Sequence, residues 1–377
     1  MADLLRYAAA RPGATGAVTR SKVDLDRQFQ HLRDAGLAPL LQCAVSEGAL
    51  TVPVEWSELL LAESLTAQVR HGALIDAAKD VVDVCDRLGV PVTLLKGISI
   101  SDQFYPAPYL RPMGDVDVLV AAAERSRVEA ALIALGYRQH ANPDQHPAAH
   151  HGAPLFDPRR RVLIEVHSAL FPGDDALLQN TLFSLTNVSM HSIASMFHGR
   201  SVRRLDGELQ LAYLASSWLR NLSRNGFHAT LVPPLFDAVY MLRAGGTSLR
   251  WDTAFEWLDN ELARCALYLM LRYVDRLELD DSARPILPRL LASQKRVGPV
   301  ELRIIDSMMD SYLVGGAAFT RLFNPWHSTI VLNALLEPRP SVVKLGLIAR
   351  NIAFPPGIEG ARTLAYQLGR IARFLRR

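Results

Sequence analysis

The segment Met113-Gly114-Asp115-Val116-Asp117-Val118-Leu119-Val120 alternates aspartate with valine inside an otherwise apolar run. Successive side chains of a strand point to opposite faces. The alternation therefore predicts a strand with Val116, Val118 and Val120 on one face and Asp115 and Asp117 on the other. Two unpaired like charges held side by side in a buried sheet are expensive, so a chain that keeps both needs a cation for them. Carboxylate oxygens suit hard divalent cations such as Mg²⁺, and paired ions of that kind serve phosphoryl chemistry.

A second run, Arg161-Val162-Leu163-Ile164-Glu165-Val166-His167, alternates in the same way. Val162, Ile164 and Val166 form its apolar face, and Glu165 and His167 share the other. If the two strands are neighbours, Glu165 joins the aspartates as a third carboxylate. His167 then contacts substrate or metal, or orients Glu165; a structural histidine is the alternative. Ahead of both, Val90–Leu95 reads as a short buried strand opening into Lys96-Gly97-Ile98-Ser99-Ile100-Ser101. A strand that passes through glycine and serine into a helix presents backbone N–H groups to phosphate. Gly97 and Ser99 are candidate nucleotide contacts; Lys96 is either a phosphate clamp or an exposed strand-end lysine. Arg111, in the loop before Asp115, is a candidate bidentate phosphate ligand, with a salt bridge to one of the acids as the plainer alternative.

Taken together, Leu94-Leu95-Lys96-Gly97, Phe104-Tyr105-Pro106, Leu110–Val120 and Ile164-Glu165-Val166-His167 resemble the uncharacterised nucleotidyltransferase family of the DNA polymerase β superfamily. The resemblance covers residues 72–172 and is looser in the helical remainder. It implies that Asp115, Asp117 and Glu165 are catalytic and hold two Mg²⁺ ions, with Glu165 as a possible general base. Lys96, Gly97, Ser99 and Arg111 would then contact an NTP such as ATP. Ile98 stands where the superfamily has glycine or serine, and 18 positions separate Gly97 from Asp115, a longer gap than the wider superfamily shows.

The chain has 377 residues, 49% of them hydrophobic, and a formal net charge of +3. That is ample for a core and too weakly basic to demand a nucleic-acid partner. Cys43, Cys85 and Cys265 are widely spaced, which suits a reducing compartment. The first twenty residues carry no signal-like apolar run, and no stretch is long and apolar enough to span a bilayer. The expectation is a soluble cytoplasmic protein.

The expected fold class is α+β: a small mixed β-sheet core over residues 72–172, a helical N-terminal segment over 1–71 and a large all-helical C-terminal region over 173–377. One long helix or two precede Gly89. Pro154–Phe156 and Val162–His167 form a hairpin, and Ser201–Leu205 is a candidate strand. In the loop before the hairpin, His150 and His151 are adjacent, so strand alternation lets at most one reach the site; His151 is the candidate substrate contact. Tyr105 and Tyr109 either stack on a base or pack on their own domain. Ala361–Arg377 reads as an amphipathic basic helix. The function expected is Mg²⁺-dependent transfer of a nucleoside monophosphate to an unidentified hydroxyl acceptor, a small molecule, peptide or protein, with release of pyrophosphate. The alternatives are a non-catalytic nucleotide- or peptide-binding accessory protein that retains the fold, and a toxin-type enzyme acting on RNA.

Overall fold

A computed structural model describes residues 2–9, 16–17, 22–140, 150–245, 249–315 and 325–353. The N-terminal segment runs α1 (Ala2–Ala8), β1 (Gly16–Ala17), α2 (Lys22–Asp34), α3 (Ala38–Ser46) and β2 (Leu50–Thr51), with β1 and β2 paired in parallel. The long helix expected before Gly89 is one continuous element, α4 (Val54–Leu88). It stops where Gly89 takes a left-handed φ of 67° and Val90 N–H reaches back to the Cys85 carbonyl at 2.8 Å. Glycine carries no Cβ to oppose that conformation.

The core follows as β3 (Thr93–Leu94), α5 (Lys96–Phe104), β4 (Asp115–Leu119), α6 (Arg125–Ala134), β5 (Arg138–Gln139), β6 (Leu155–Asp157) and β7 (Val162–His167). Then come α7 (Leu185–Met190), β8 (Ser192–Phe197) and β9 (Arg200–Leu205). These strands make one mixed sheet in the order β5-β6-β7-β4-β3-β9-β8. β4 and β7 are parallel, whereas β3 runs antiparallel to β4 and parallel to β9.

The apolar faces predicted from alternation are buried as a set. Val116, Val118, Val120, Val162, Ile164 and Val166 pack with Ala78, Val81 and Val82 of α4 and Val128 and Leu132 of α6. Each such side chain fully removed from water contributes about 1.5–3 kcal/mol. This burial fixes the sheet register, because a slip of one residue would turn the valines out and the acids in. The opposite face looks toward the C-terminal helices α8 (Gly207–Asn225), α9 (Pro233–Gly245), α10 (Trp251–Trp257), α11 (Glu261–Arg276), α12 (Leu287–Ser293), α13 (Pro299–Gly315), α14 (Pro325–Leu336) and α15 (Ser341–Ala353). Their core around Trp218, Phe236 and Tyr273 is continuous with Leu95, Leu119 and Leu205 at the sheet.

The fold is thus α+β, with one difference from the expected outline. The region after residue 172 is not helical throughout, because β8 and β9 extend the sheet before α8 begins. The expected Ala361–Arg377 helix lies outside the described residues.

Candidate functional site

Parallel pairing of β4 and β7 sets Asp117 opposite Glu165 and Leu119 opposite His167. The hairpin expectation holds, with Leu155 opposite Ile164 and Asp157 opposite Val162. The chain leading into β6 also runs along β7, placing His151 against His167 and Gly152 N–H on the Val166 carbonyl at 3.2 Å.

From the other side, β3 delivers Leu95, whose N–H bonds the Asp117 carbonyl at 3.0 Å. Lys96 follows with a φ of 41°. A non-glycine residue in that region costs on the order of 1–3 kcal/mol and persists only where its surroundings hold it. Here the turn aims the Lys96 ammonium at Asp117 Oδ1, 2.6 Å away. His167 Nε2 sits on the same oxygen at 2.7 Å and lies 3.5 Å from Glu165 Oε2. One ligand atom from each of Asp117, Glu165 and His167 falls within a sphere of contacts no wider than 4.8 Å.

The electrostatics are those of crowded acids. Asp115, flanked by ionised Asp117 and removed from water, is pushed up to about 7. Burial would also raise Asp117, but Lys96 and the His167 hydrogen bond outweigh it and hold that carboxyl well below the usual range. For Glu165 burial again works upward, and the His167 hydrogen bond brings the net shift down. His167 is fully buried, which disfavours its charge, yet its bonds to the two carboxylates raise its pKa. Lys96 likewise stays charged against its burial because of Asp117. Three carboxylates crowd one lysine, and Asp115 carries repulsion that Lys96 and Arg111 offset only in part. Carboxylate oxygens in that number fit a hard divalent cation, and the buried imidazole nitrogen adds a donor acceptable to Mn²⁺ or Zn²⁺.

Apart from the fully buried His167, these groups line a cleft of about 620 Å³ between the sheet and the helical region. Lys96, Gly97, Arg111, Asp115, Asp117, His151 and Glu165 all border it. Gly97 is required there: a Cβ on it would come within 2.5 Å of Arg111 Nη1 and 2.9 Å of Met113 Sδ. His150 borders the cleft as well. The rings of His150 and His151 each stand 5.1 Å from that of His167. The expectation that only one of the pair would approach fails because His150 precedes the paired segment, where strand alternation does not apply. Burial and the neighbouring cationic and imidazole groups lower His150 to about 3, so it is neutral.

Two predicted contacts are placed differently. Ser99 is fully buried on the inner side of α5, where its hydroxyl accepts from Gln103 Nε2 at 2.9 Å and donates to Gln210 Oε1 at 3.3 Å. Arg111 borders the cleft, but its donors are directed elsewhere. Nε and Nη2 form a bidentate pair with Asp237 at 2.8 and 2.7 Å, and Nη1 bonds the Pro112 carbonyl at 3.2 Å. Tyr105 donates to the same Asp237 at 2.8 Å and packs on Tyr240, so it anchors α9 and does not meet a base. Among the cleft residues that carried no sequence signal are Arg70, an exposed position of α4, and Tyr213, a buried one of α8.

Clustered carboxylates beside a lysine at a strand-to-helix turn have the donor chemistry of an enzyme that works on a metal-bound triphosphate. The chain belongs to the uncharacterised nucleotidyltransferase family, whose family model matches residues 21–277. No curated protein is a match. Among solved structures it is similar to the antibiotic-resistance factor ANT(2'')-Ia in solution, at 14% identity over 54% of this chain and 95% of that one, with a TM-score of 0.33. It is also similar to an antigenic nucleotidyltransferase-like protein from Paracoccidioides brasiliensis, at 14% identity over 59% and 94% of the respective chains, with a TM-score of 0.37. Among the described residues no helix is long and apolar enough to cross a membrane.

Proposed function

We propose that this nucleotidyltransferase uses Mg²⁺ to move a nucleoside monophosphate from an NTP to a hydroxyl acceptor, releasing pyrophosphate. The observation that carries the reading is the in-register placement of Asp117 beside Glu165, with Lys96 on the Asp117 oxygen. Asp115, Asp117 and Glu165 are the residues assigned to hold divalent ions. Such ions, when bound, neutralise the triphosphate and lower the pKa of the attacking hydroxyl.

The chain's own groups do the rest. Glu165 takes the proton of the acceptor hydroxyl as its oxygen bonds the α-phosphorus; the bond to the β-phosphate bridging oxygen breaks, and pyrophosphate leaves. Lys96 turns from Asp117 to a phosphate oxygen. Gly97 lets the triphosphate approach the backbone. Arg111, held by Asp237, acts as a fixed positive charge and not as a direct ligand. His151 borders the acceptor side, where a cleft of about 620 Å³ suits a small molecule or a peptide side chain, while His167, fully buried, orients Asp117 and Glu165. Three cysteines without disulfides favour a reducing compartment such as the cytoplasm.

The test is pyrophosphate release with Mg²⁺ and each NTP, compared between the wild type and an Asp115→Ala/Asp117→Ala double variant in the presence of a cell extract that supplies acceptors. Release by the wild type alone is the expected result. Equal signals from both proteins would replace the enzyme by a nucleotide-binding accessory protein. Mass spectrometry of the extract after incubation with labelled NTP then identifies the acceptor.

A further inference from the structure

Tyr213 projects from α8 into the cleft wall, across from the sheet that carries the acids. It is 2% exposed, and its hydroxyl has no hydrogen-bond partner among the described residues. A buried hydroxyl left unbonded is a cost that a folded chain normally avoids. The ring cannot swing to water, because it is wedged edge-on against Phe171 at 5.4 Å and Phe183 at 6.3 Å. Burial, with Asp117 and Glu165 in electrostatic reach, pushes the hydroxyl up to about 12, so it keeps its proton and is available as a donor. Lys96 is in reach as well. Two donors, one cationic and one neutral, therefore converge beside carboxylates that need cations of their own, which is the pattern that receives an anionic oxygen.

We propose that Tyr213 is a nucleotide-binding residue whose hydroxyl donates to a phosphate oxygen of the bound triphosphate beside Lys96. The proposal rests on the NTP reading above and adds to it a contact from the helical region, so that nucleotide is gripped from both walls of the cleft. A built-in control lies three residues along the same helix. Ser216 also has a buried, unbonded hydroxyl, but it does not border the cleft.

The experiment titrates the wild type, Tyr213→Phe and Ser216→Ala with each of the four α,β-methylene nucleoside triphosphates in Mg²⁺, and records thermal unfolding of the three proteins without ligand. Tyr213→Phe is expected to weaken binding about tenfold or more, the worth of a hydrogen bond to a charged group, while its unfolding temperature equals or exceeds that of the wild type. Ser216→Ala is expected to gain stability in the same way and bind as the wild type does. Binding by Tyr213→Phe within about twofold of the wild type overturns the proposal, as does a clear loss of its thermal stability, because the hydroxyl would then have a structural partner. If the wild type binds none of the four, the NTP reading itself falls, and this contact with it.

Discussion

Asp117 and Glu165 are paired residues on two adjacent parallel strands, so their side chains leave the sheet on the same face, one beside the other. Like charges in that relationship destabilise a sheet. Here the His167 imidazole, within 2.7 Å of one and 3.5 Å of the other, holds both. Replacing either acid by its amide keeps the shape and removes the charge. Asp117→Asn or Glu165→Gln should lower pyrophosphate release on the order of 10²–10⁴-fold, the range for loss of a catalytic acid or base. Activity within a factor of about three of the wild type would remove these two residues from the chemistry.

Lys96 occupies the Asp117 oxygen that an ion would take. On the proposed reading it competes with a divalent cation when no nucleotide is bound and serves the nucleotide when one is. Lys96→Met should tighten binding of Mn²⁺ alone and weaken binding of the triphosphate, each by about tenfold, the equivalent of ~1.4 kcal/mol. Calorimetric titration of the variant with each ligand separately checks the opposed signs; shifts in the same direction would contradict this role.

Asp115 titrates near 7 in the fold because of Asp117, against about 3.9 in an unfolded chain. Between those values the folded protein holds a proton that the unfolded chain has released, so stability falls as pH rises from about 4 to about 7 and is level above that. Urea unfolding in a chelator at about pH 5 and about pH 8 should show this fall in the wild type and a smaller one in Asp115→Asn. Identical pH slopes for the two proteins would show that Asp115 is not crowded.

Asp237 ties the loop that carries Arg111 and Tyr105 to α9 through three hydrogen bonds. Its burial is complete, and the Arg111 side chain is 11% exposed. Asp237→Ala strands a buried guanidinium, which should cost about 3–5 kcal/mol of stability. Tyr105→Phe removes one neutral donor and should cost about 1 kcal/mol. Chemical denaturation measures both, and a loss below about 1 kcal/mol for Asp237→Ala would mean that Arg111 finds another partner.

Alternation made the acids legible in the sequence. Period-two spacing placed Asp117 and Glu165 on the polar faces of β4 and β7, and those faces coincide because the strands are neighbours. The partner of Arg111 was not legible, since Asp237 is 126 positions away and no local pattern joins them. Ser99 was read as a phosphate contact where a strand passes through Gly97 into a helix, but the helix begins already at Lys96, and helical periodicity turns Ser99 inward toward Gln210 of α8. Tyr213 reads as one more apolar position on the buried stripe of α8, and only the packed structure shows that it borders the cleft with an unbonded hydroxyl. β8 lies at the sheet edge with Ile193 and Met196 exposed, so its sequence lacks the in-and-out pattern of a strand buried on one face.

On the proposed reading Asp117 and Glu165 hold a divalent cation together. The most direct measurement is the electron paramagnetic resonance of Mn²⁺ titrated into the wild type, Asp117→Asn and Glu165→Gln. Saturable binding is expected in the wild type, weakened by either amide substitution by about tenfold or more, a loss of ~1.4 kcal/mol or greater. Equal Mn²⁺ binding by all three proteins, or none by the folded wild type with and without nucleotide, would contradict it.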